Sequence, residues 1–509
     1  MLILGGGGGS DVLQALYHEI PRIDVVEINP QLVELVQEDL AAYTGNLFQR
    51  DGIRIHIADG RGYLAAENRK FDLIQCSLLD SFGASSAGLY ALAENYLYTG
   101  EAFKEYLEHL HPGGFISITR WIKLPPRDSL KLITTATAAL RSAGVADPGK
   151  RLVLIRSWQT STLLIKKGDI SGDEISRIQR FCRERAFDTV YYPGIVQPET
   201  NLFNIVQEDN FYRGVKELLG QDPDGFIQGY KFRISAATDN APYFFHFFKW
   251  RSFPDMVRLS GQGGMALLEW GYLVLVATLG IALLASLVII ISPLLFYYNR
   301  QRGKIPETFQ RWRIFVYFYA IGLAFLFLEI AFIQKFILFL AHPLYATAVV
   351  ITAFLIFAGL GSAHAQKNQE WLTFRFHQGG WFPFAGIILL GLLYLAGLPQ
   401  IFKPLMGLPD SLKALVSVAC IAPLAFCMGK PFPAGLTRVS EEAPQFLPWA
   451  WAVNGCASVQ SSVLATLIAI QFGFKVVVIC ALTLYGIACL ILFTKVNKKN
   501  ETHFTHTSD

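Results

Sequence analysis

An α/β doubly wound sheet followed by an all-α transmembrane domain is the architecture this sequence predicts, and three observations predict it. The first is the opening stretch, Leu2-Ile3-Leu4 running into Gly5-Gly6-Gly7-Gly8-Gly9, a short apolar strand that breaks into a glycine turn. The second is the series of further apolar or alternating runs, separated by helical periods, that continues to residue 168. The third is composition. Of 509 residues, 52% are hydrophobic and 17% charged, which is too apolar for a soluble protein of this length, and the excess lies beyond residue 265.

The glycine run lets the backbone turn sharply and approach a ligand closely, and Asp11 to Ile20 can begin a helix whose first N–H groups face that ligand. Val25-Val26-Glu27-Ile28-Asn29 reads as the second strand. Glu27 at its tip lies about 20 residues beyond the turn, where a carboxylate can accept both hydroxyls of a ribose. Pro30 to Tyr43 carries Leu32, Leu35, Val36 and Leu40 at a helical period, and Ile53 to Ile57 alternates as a third strand. That strand ends at Ala58-Asp59-Gly60-Arg61, where Asp59 can reach the exocyclic amine of an adenine. Phe71 to Cys76 is a fourth strand. Thr99 to Leu110 is a helix closed by His111-Pro112-Gly113-Gly114, and Phe115 to Thr119 is the fifth strand. Strands alternating with helices imply a parallel sheet whose ligand crevice lies outside the carboxyl ends, where the glycine loop, Glu27, Asp59 and Ser77 to Asp80 all fall. A nicotinamide dinucleotide is the competing ligand, but its third fingerprint glycine would fall at Ser10 or Asp11.

The order of these segments resembles the class I S-adenosylmethionine-dependent methyltransferase fold and, within it, the polyamine aminopropyltransferases of the spermidine synthase family. Gly5 to Gly9 is similar to that family's GGGDGG loop, Val26-Glu27-Ile28-Asn29 to its E-I-D motif, and Ala58-Asp59-Gly60 to its G-D-G/A-D-G motif. Leu110-His111-Pro112-Gly113-Gly114 is similar to the L-x-P-G-G turn of methyltransferases, and Arg151 to Trp158 with Ser161 to Lys167 to the final antiparallel hairpin. The resemblance spans residues 2 to about 168. It implies S-adenosylmethionine or its decarboxylated relative as cofactor, bound through Gly5, Gly7, Gly9, Glu27, Asp59 and Gly60, and a transferase acting on a small-molecule acceptor.

Departures from the family pattern bear on the chemistry. Where the family reads D-S-S-D-P, this sequence reads Ser77-Leu78-Leu79-Asp80-Ser81. Asp80 matches the acid that holds the diamine and is the candidate to orient the acceptor, unless it caps a helix. Ser77 replaces the acid that helps deprotonate the attacking amine, and Gly8 replaces the acid inside the glycine loop. A serine hydroxyl without a partner is no general base at neutral pH, so the catalytic pair Asp80 and Ser77 favours methyl over efficient aminopropyl transfer. The polar stretch Phe82 to Tyr98 stands where a substrate lid would sit, with Tyr90 and Glu94 as its substrate-contact candidates.

Residues 169–265 read as a cap and linker extension, with helices over Asp173 to Phe187 and Asn201 to Leu219. The aromatic run after Thr238-Asp239-Asn240-Ala241-Pro242 either closes the site or forms an interface with the membrane domain. Residues 266–496 hold seven candidate spans at 270 to 297, 314 to 340, 343 to 363, 381 to 402, 412 to 428, 449 to 470 and 475 to 494, against the roughly 20 residues needed to cross. Residues 497–509 form a polar tail. Pro423 makes the fifth span a candidate broken or re-entrant helix, continued by Gly429 to Gly435. Small residues from Asn454 to Ala465 allow close helix packing. Glu329, Gln334 and Lys335 lie within the second span and mark an internal ion pair, a helix end or a transport pathway. These segments, with Cys427 to Pro433 and Pro448 to Gly455, resemble the membrane-bound, multi-spanning spermidine-synthase-like proteins of bacteria. In that group the nucleoside domain follows further spans, and here the first strand begins at residue 2, so an N-terminal part is expected to be missing.

The remaining composition excludes other classes. A net charge of +4 with the signs interspersed offers no basic block for nucleic acid. No two of the seven cysteines have metal or redox spacing and the ten histidines are scattered, so no metal is expected. Expected partners are the lipid bilayer, an amine or lipid-soluble acceptor, and a second copy of the chain in a homo-oligomer. The reading is a membrane-anchored, spermidine synthase-like transferase in the inner membrane, its soluble domain cytoplasmic because S-adenosylmethionine is made in the cytosol. The basic loop at Arg300, Arg302, Lys304, Arg311 and Arg313 argues for the opposite orientation. The alternative is a transporter or scaffold carrying a degenerate nucleoside domain.

Overall fold

The computed structural model describes residues 1–79, 92–258, 270–292, 308–367 and 381–493. Strand β1 (Leu2–Leu4) is the middle of a sheet because its three side chains are all buried, as befits a parallel strand covered on both faces. It pairs in parallel with β2 (Ile23–Glu27) on one side and β4 (Phe71–Cys76) on the other. β3 (Ile53–Ile57) extends the sheet beyond β2, and β5 (Leu110–Trp121) extends it beyond β4. The hairpin β6 (Leu152–Arg156) and β7 (Thr160–Lys166) joins antiparallel, followed by β8 (Asp188–Tyr191), in the order β3-β2-β1-β4-β5-β7-β6-β8. The order reverses between β1 and β4, which places the ligand crevice of a doubly wound sheet at their carboxyl ends.

Helices connect the strands, and several are started by a polar side chain that satisfies free amides. α1 (Ser10–Tyr17) follows Gly9, which has a left-handed φ of 88° that a side chain would rarely adopt. Asn29 caps α2 (Pro30–Glu34), Asp59 caps α3 (Gly60–Ala66) and Thr99 caps α4 (Gly100–Glu108). α5 (Asp128–Ser142) precedes the hairpin, and α6 (Gly172–Glu184) opens on a Ser171–Glu174 capping box.

Several elements differ from their sequence reading. The helical period over Pro30 to Tyr43 breaks into α2, a π turn at Leu35–Asp39 and a short helix at Ala41–Thr44. The wider turn leaves Val33 and Val36 buried and turns Leu35 and Leu40 outward. The His111 to Gly114 turn sits inside β5 as an irregularity, with Gly113 N–H bonded to the Lys167 carbonyl. The second extension helix begins only at α7 (Asn210–Leu218). The residues before it fold back so that the amides of Leu202, Phe203 and Asn204 donate to the buried Asp188 carboxylate, which also pairs with Arg156 at 3.0 Å.

Among the described residues, seven helical segments are long and apolar enough to cross a membrane: Trp270–Ile289, Trp312–Leu340, Pro343–Ala365, Phe382–Leu405, Asp410–Glu441, Pro444–Phe472 and Phe474–Phe493. Their helices are α8 (Trp270–Ser286), α9 (Thr308–Leu340), α10 (Pro343–Lys367), α11 (Phe382–Phe402), α12 (Asp410–Met428), α13 (Pro431–Glu442), α14 (Leu447–Phe472) and α15 (Phe474–Phe493). The fifth segment is interrupted, but not at Pro423, which α12 runs straight through; the break falls at Gly429-Lys430, before α13. Gly429 and Gly361 make the crossing of α10 and α12 close: a Cβ on either would fall about 2 Å from a carbonyl oxygen of the other helix. The small residues of α14 serve in the same way, since a Cβ on Gly322 would lie 2.8 Å from Ala457.

The sheet domain docks on one end of these helices. Arg233 donates to the carbonyls of Ile470 (2.9 Å) and Gln471 (3.1 Å) at the end of α14. Asn240 receives the Phe474 and Lys475 amides, each at 2.8 Å, at the start of α15. Both contacts satisfy helix-end groups that lack partners within their own helix. The aromatic run lies against the same helices, with Tyr243 against Phe474 and Phe248 against Tyr272.

Candidate functional site

The register places four loops on one edge. Leu4 is level with Val26 and Cys76, and Glu27 with Ile57, so the glycine loop, Glu27, Asp59 and Ser77 emerge together beyond the carboxyl ends of β1 to β4. Gly5 bonds through its amide to the Val26 carbonyl at 2.8 Å, tying the loop to β2. Gly5, Gly7 and Gly9 all have positive φ. A Cβ on Gly5 would collide with Leu79 and one on Gly9 with Leu47, whereas at Gly7 and Gly8 nothing lies within 4 Å. The loop is thus packed at its ends and open in its middle.

Glu27 is 8% exposed and is held by backbone alone. Gly7 N–H donates to Oε2 and Asn29 N–H to Oε1, each at 3.0 Å. Two amide bonds fix the carboxylate and leave one lone pair on each oxygen for further donors. Asp59 is fixed in the same manner, its Oδ1 accepting from Arg61 and Gly62 amides at 3.0 Å. Burial pushes its pKa up, against the amide of Gly62 and the charge of Arg61. Gly60 begins α3 in contact with Leu4 and Leu97.

Ser77 Oγ accepts from the Gln75 side-chain amide at 3.2 Å, and the same nitrogen donates to Asp11 Oδ1 at 2.9 Å. Asp80 and Tyr90 lie outside the described residues. Glu94 is half-buried and receives the Tyr243 hydroxyl at 3.1 Å, so it stands beside the aromatic run, toward α15. Burial raises its pKa, which the Tyr243 bond partly opposes.

Sequence reasoning missed Arg61, Asp11 and Gln75. Arg61 is buried, pairs with Glu105 at 2.7 Å and forks onto both oxygens of Asp239 at 3.1 and 3.2 Å. It anchors the Asp59 corner to α4 and to the turn before the aromatic run. The signal available was only its place in Ala58-Asp59-Gly60-Arg61. Gln334, one of the polar residues of the second span, accepts the Tyr96 hydroxyl through its carbonyl at 3.2 Å, and Ala341 meets Gly62. The end of α9 therefore abuts the same edge of the sheet. Glu329, deeper in α9 and 8% exposed, has no hydrogen-bond or ion-pair partner among the described residues.

Fold and edge together define a Rossmann-like doubly wound domain with two amide-held carboxylates at the carboxyl edge of its sheet. Residues 1–147 match the family model of the spermine/spermidine synthase domain. The chain is 32% identical over 117 residues to polyamine aminopropyltransferase 2 of Hyperthermus butylicus, covering 23% of this chain and 36% of that protein. It is 26% identical over 116 residues to the polyamine aminopropyltransferase of Korarchaeum cryptofilum, covering 23% and 33%. The chain thus spans about a third of the length of the curated relatives it matches. Among solved structures it is similar to spermidine synthase from Thermotoga maritima, at 19% identity, 43% and 67% coverage and a TM-score of 0.26. It is also similar to the N-methyltransferase NodS of Bradyrhizobium japonicum, at 15% identity, 32% and 83% coverage and a TM-score of 0.21.

Proposed function

We propose that this chain is a membrane-anchored transferase that takes decarboxylated S-adenosylmethionine or S-adenosylmethionine at the carboxyl edge of its sheet and modifies an amine. The observation that carries the proposal is the Glu27 carboxylate, fixed by the Gly7 and Asn29 amides beside an open glycine loop. The edge fits such a nucleoside, because Gly7 and Gly8 leave the space a ligand needs and Asp59 Oδ2 is left over from the α3 cap. When bound, the cofactor supplies an electrophilic carbon next to a sulfonium. Glu27 accepts the ribose hydroxyls, Asp59 accepts the adenine amine, and Gly5, Gly7, Gly9 and Gly60 shape the path between them. Asp80, on its sequence match alone, orients the acceptor, with Tyr90 and Glu94 as its other contacts.

Similarity to polyamine aminopropyltransferases supports aminopropyl transfer over methyl transfer. The attacking amine must shed a proton, and a positioned base is worth about 10² to 10⁴ in rate. Ser77, already accepting from Gln75, is left with a proton to donate and is no base, which supports slow turnover. Incubating the full chain with decarboxylated cofactor and putrescine should yield 5′-methylthioadenosine and spermidine, and Glu27→Ala should cut the yield about 100-fold. No nucleoside product from either cofactor with any amine would sink the proposal. The seven apolar helices support a multi-pass membrane protein, and cytosolic supply of the cofactor supports a cytoplasmic sheet domain. Protease protection in inverted and right-side-out vesicles reads that side.

Glu329 favours a second reading, a transporter with a degenerate nucleoside domain, since a buried carboxylate within a span usually marks a pathway. An uptake activity lost in Glu329→Gln and kept in Glu27→Ala would make this the better answer.

A further inference from the structure

We propose that the cavity between α9, α13 and α15, at the end of the helices remote from the sheet domain, is a site for the headgroup of an anionic phospholipid. The inference rests on the membrane reading given above and goes beyond it. The cavity has about 490 Å³ of empty space, its mouth included, and both Arg313 and Arg438 line it. The rest of its wall is apolar or aromatic, with Ile314 and Phe318 from α9, Val439 from α13 and Leu492 from α15. Gly435 lets α13 lie directly on the Tyr317 ring, since a Cβ there would fall 2.3 Å from it, and the Tyr317 hydroxyl is taken up by the Pro431 carbonyl at 2.6 Å. The two guanidinium groups are the charged side chains of the lining.

Where the cavity lies along the helices decides between a lipid and a dissolved anion. The sheet domain meets the other end, at Gln334 and Ala341 of α9 and at Phe474 and Lys475 of α15. At a rise of roughly 1.5 Å per residue, Arg313 stands about 30 Å along α9 from Gln334, about the thickness of a hydrocarbon core. Arg313 also donates to the Ile491 carbonyl at 2.6 Å in the last turn of α15, so the two helices reach their polar ends together there. Trp312 on α9 and Trp451 near the start of α14 are 65% and 60% exposed at this same end, and tryptophan gathers at headgroup level. A phosphodiester at that depth meets guanidinium forks that match its oxygens, while the apolar wall receives the first carbons of its acyl chains. A free phosphate has no use for that wall.

The test uses the purified full chain in phosphatidylcholine nanodiscs and two photoactivatable probes, phosphatidylglycerol as the anionic lipid and phosphatidylcholine as the neutral control. Mass spectrometry of the crosslinked chain should place the anionic probe on residues 312–318, 435–443 or 491–492, at no less than about fivefold the yield of the neutral one. Arg438→Gln should lower that yield about fivefold and leave the neutral probe and nucleoside binding within about twofold, whereas Arg438→Lys should keep most of the preference. Competition on the parent chain decides even if the glutamine variant does not fold: unlabelled phosphatidylglycerol should displace the anionic probe, and millimolar inorganic phosphate should not. Equal labelling by the two probes, labelling confined to other surfaces, or displacement by inorganic phosphate would overturn the inference. A chain that stays in solution without detergent or lipid would overturn the membrane reading itself, and this inference with it.

Discussion

The sheet edge and the helical half use polar groups in opposite ways. At the sheet edge, carboxylates are received by backbone amides, Glu27 by Gly7 and Asn29 and Asp59 by Arg61 and Gly62. In the helices, hydroxyls and amides are spent on carbonyls of the neighbouring helix: Tyr317 on Pro431, Ser461 on Leu323, Asn454 on Phe318, Tyr394 on Cys420. An acid held by amides has lone pairs left for a ligand. A hydroxyl spent on a carbonyl closes a gap between helices and offers nothing outward. The contrast leaves acceptors open for a ligand at the sheet edge and closes them between the helices, where Glu329 is the exception.

Three changes would break or sharpen this contrast. The largest effect is expected at Arg61, whose removal in Arg61→Met strands the Glu105 and Asp239 carboxylates. Breaking a buried pair in this way costs about 3–5 kcal/mol, and denaturant unfolding of the full chain should show the loss in the N-terminal half. A near-neutral result would mean that the Asp59 corner is held by something else.

Glu94 stands between the two regions and should give a smaller, pH-dependent effect. Burial raises its folded pKa above the ordinary value of 4.5, so its stability contribution is fully present below that value and is lost as pH rises through the raised one. Glu94→Gln, which cannot ionise, should match the parent in thermal stability near pH 4 and exceed it by a few degrees at pH 8, while weakening amine acceptor binding. A gap that widens toward acid would reverse the sign and refute the assignment. The smallest effect is expected in the helices. Ser461→Ala should cost about 0.6 kcal/mol in detergent unfolding and leave nucleoside binding unchanged. A change in nucleoside affinity would mean that the two halves are not separate in role.

Much of the sheet was legible in the sequence because its signals are local. Ile53–Ile57 and Phe71–Cys76 appear at the residues that alternation and apolar runs indicate, and each of the seven apolar runs contains a helix. The residues that hold the edge in place were not legible, because their partners are distant. Arg61 and Asp239 are 178 positions apart, and Gln75 and Asp11 are 64 apart on different elements. Asp11 looked like an ordinary first-turn acid, a choice helices make for their own dipole. Strand β8 was hidden for a related reason: its Asp188 is a charged residue that is buried only because Arg156 and three amides meet it there.

The clamp at the turn between α14 and α15 has a consequence for how the chain is made. Arg233 and Asn240 leave the ribosome more than two hundred residues before the carbonyls and amides they receive. The sheet domain, folding first as domains commonly do during synthesis, is then a template waiting for the last hairpin. That template reads polarity as well as position, because Arg233 donates only to a helix end that offers carbonyls and the Asn240 oxygens accept from one that offers amides. A final hairpin whose turn lay at the other end of the helices would be beyond reach of both, so docking itself tests where that hairpin lies.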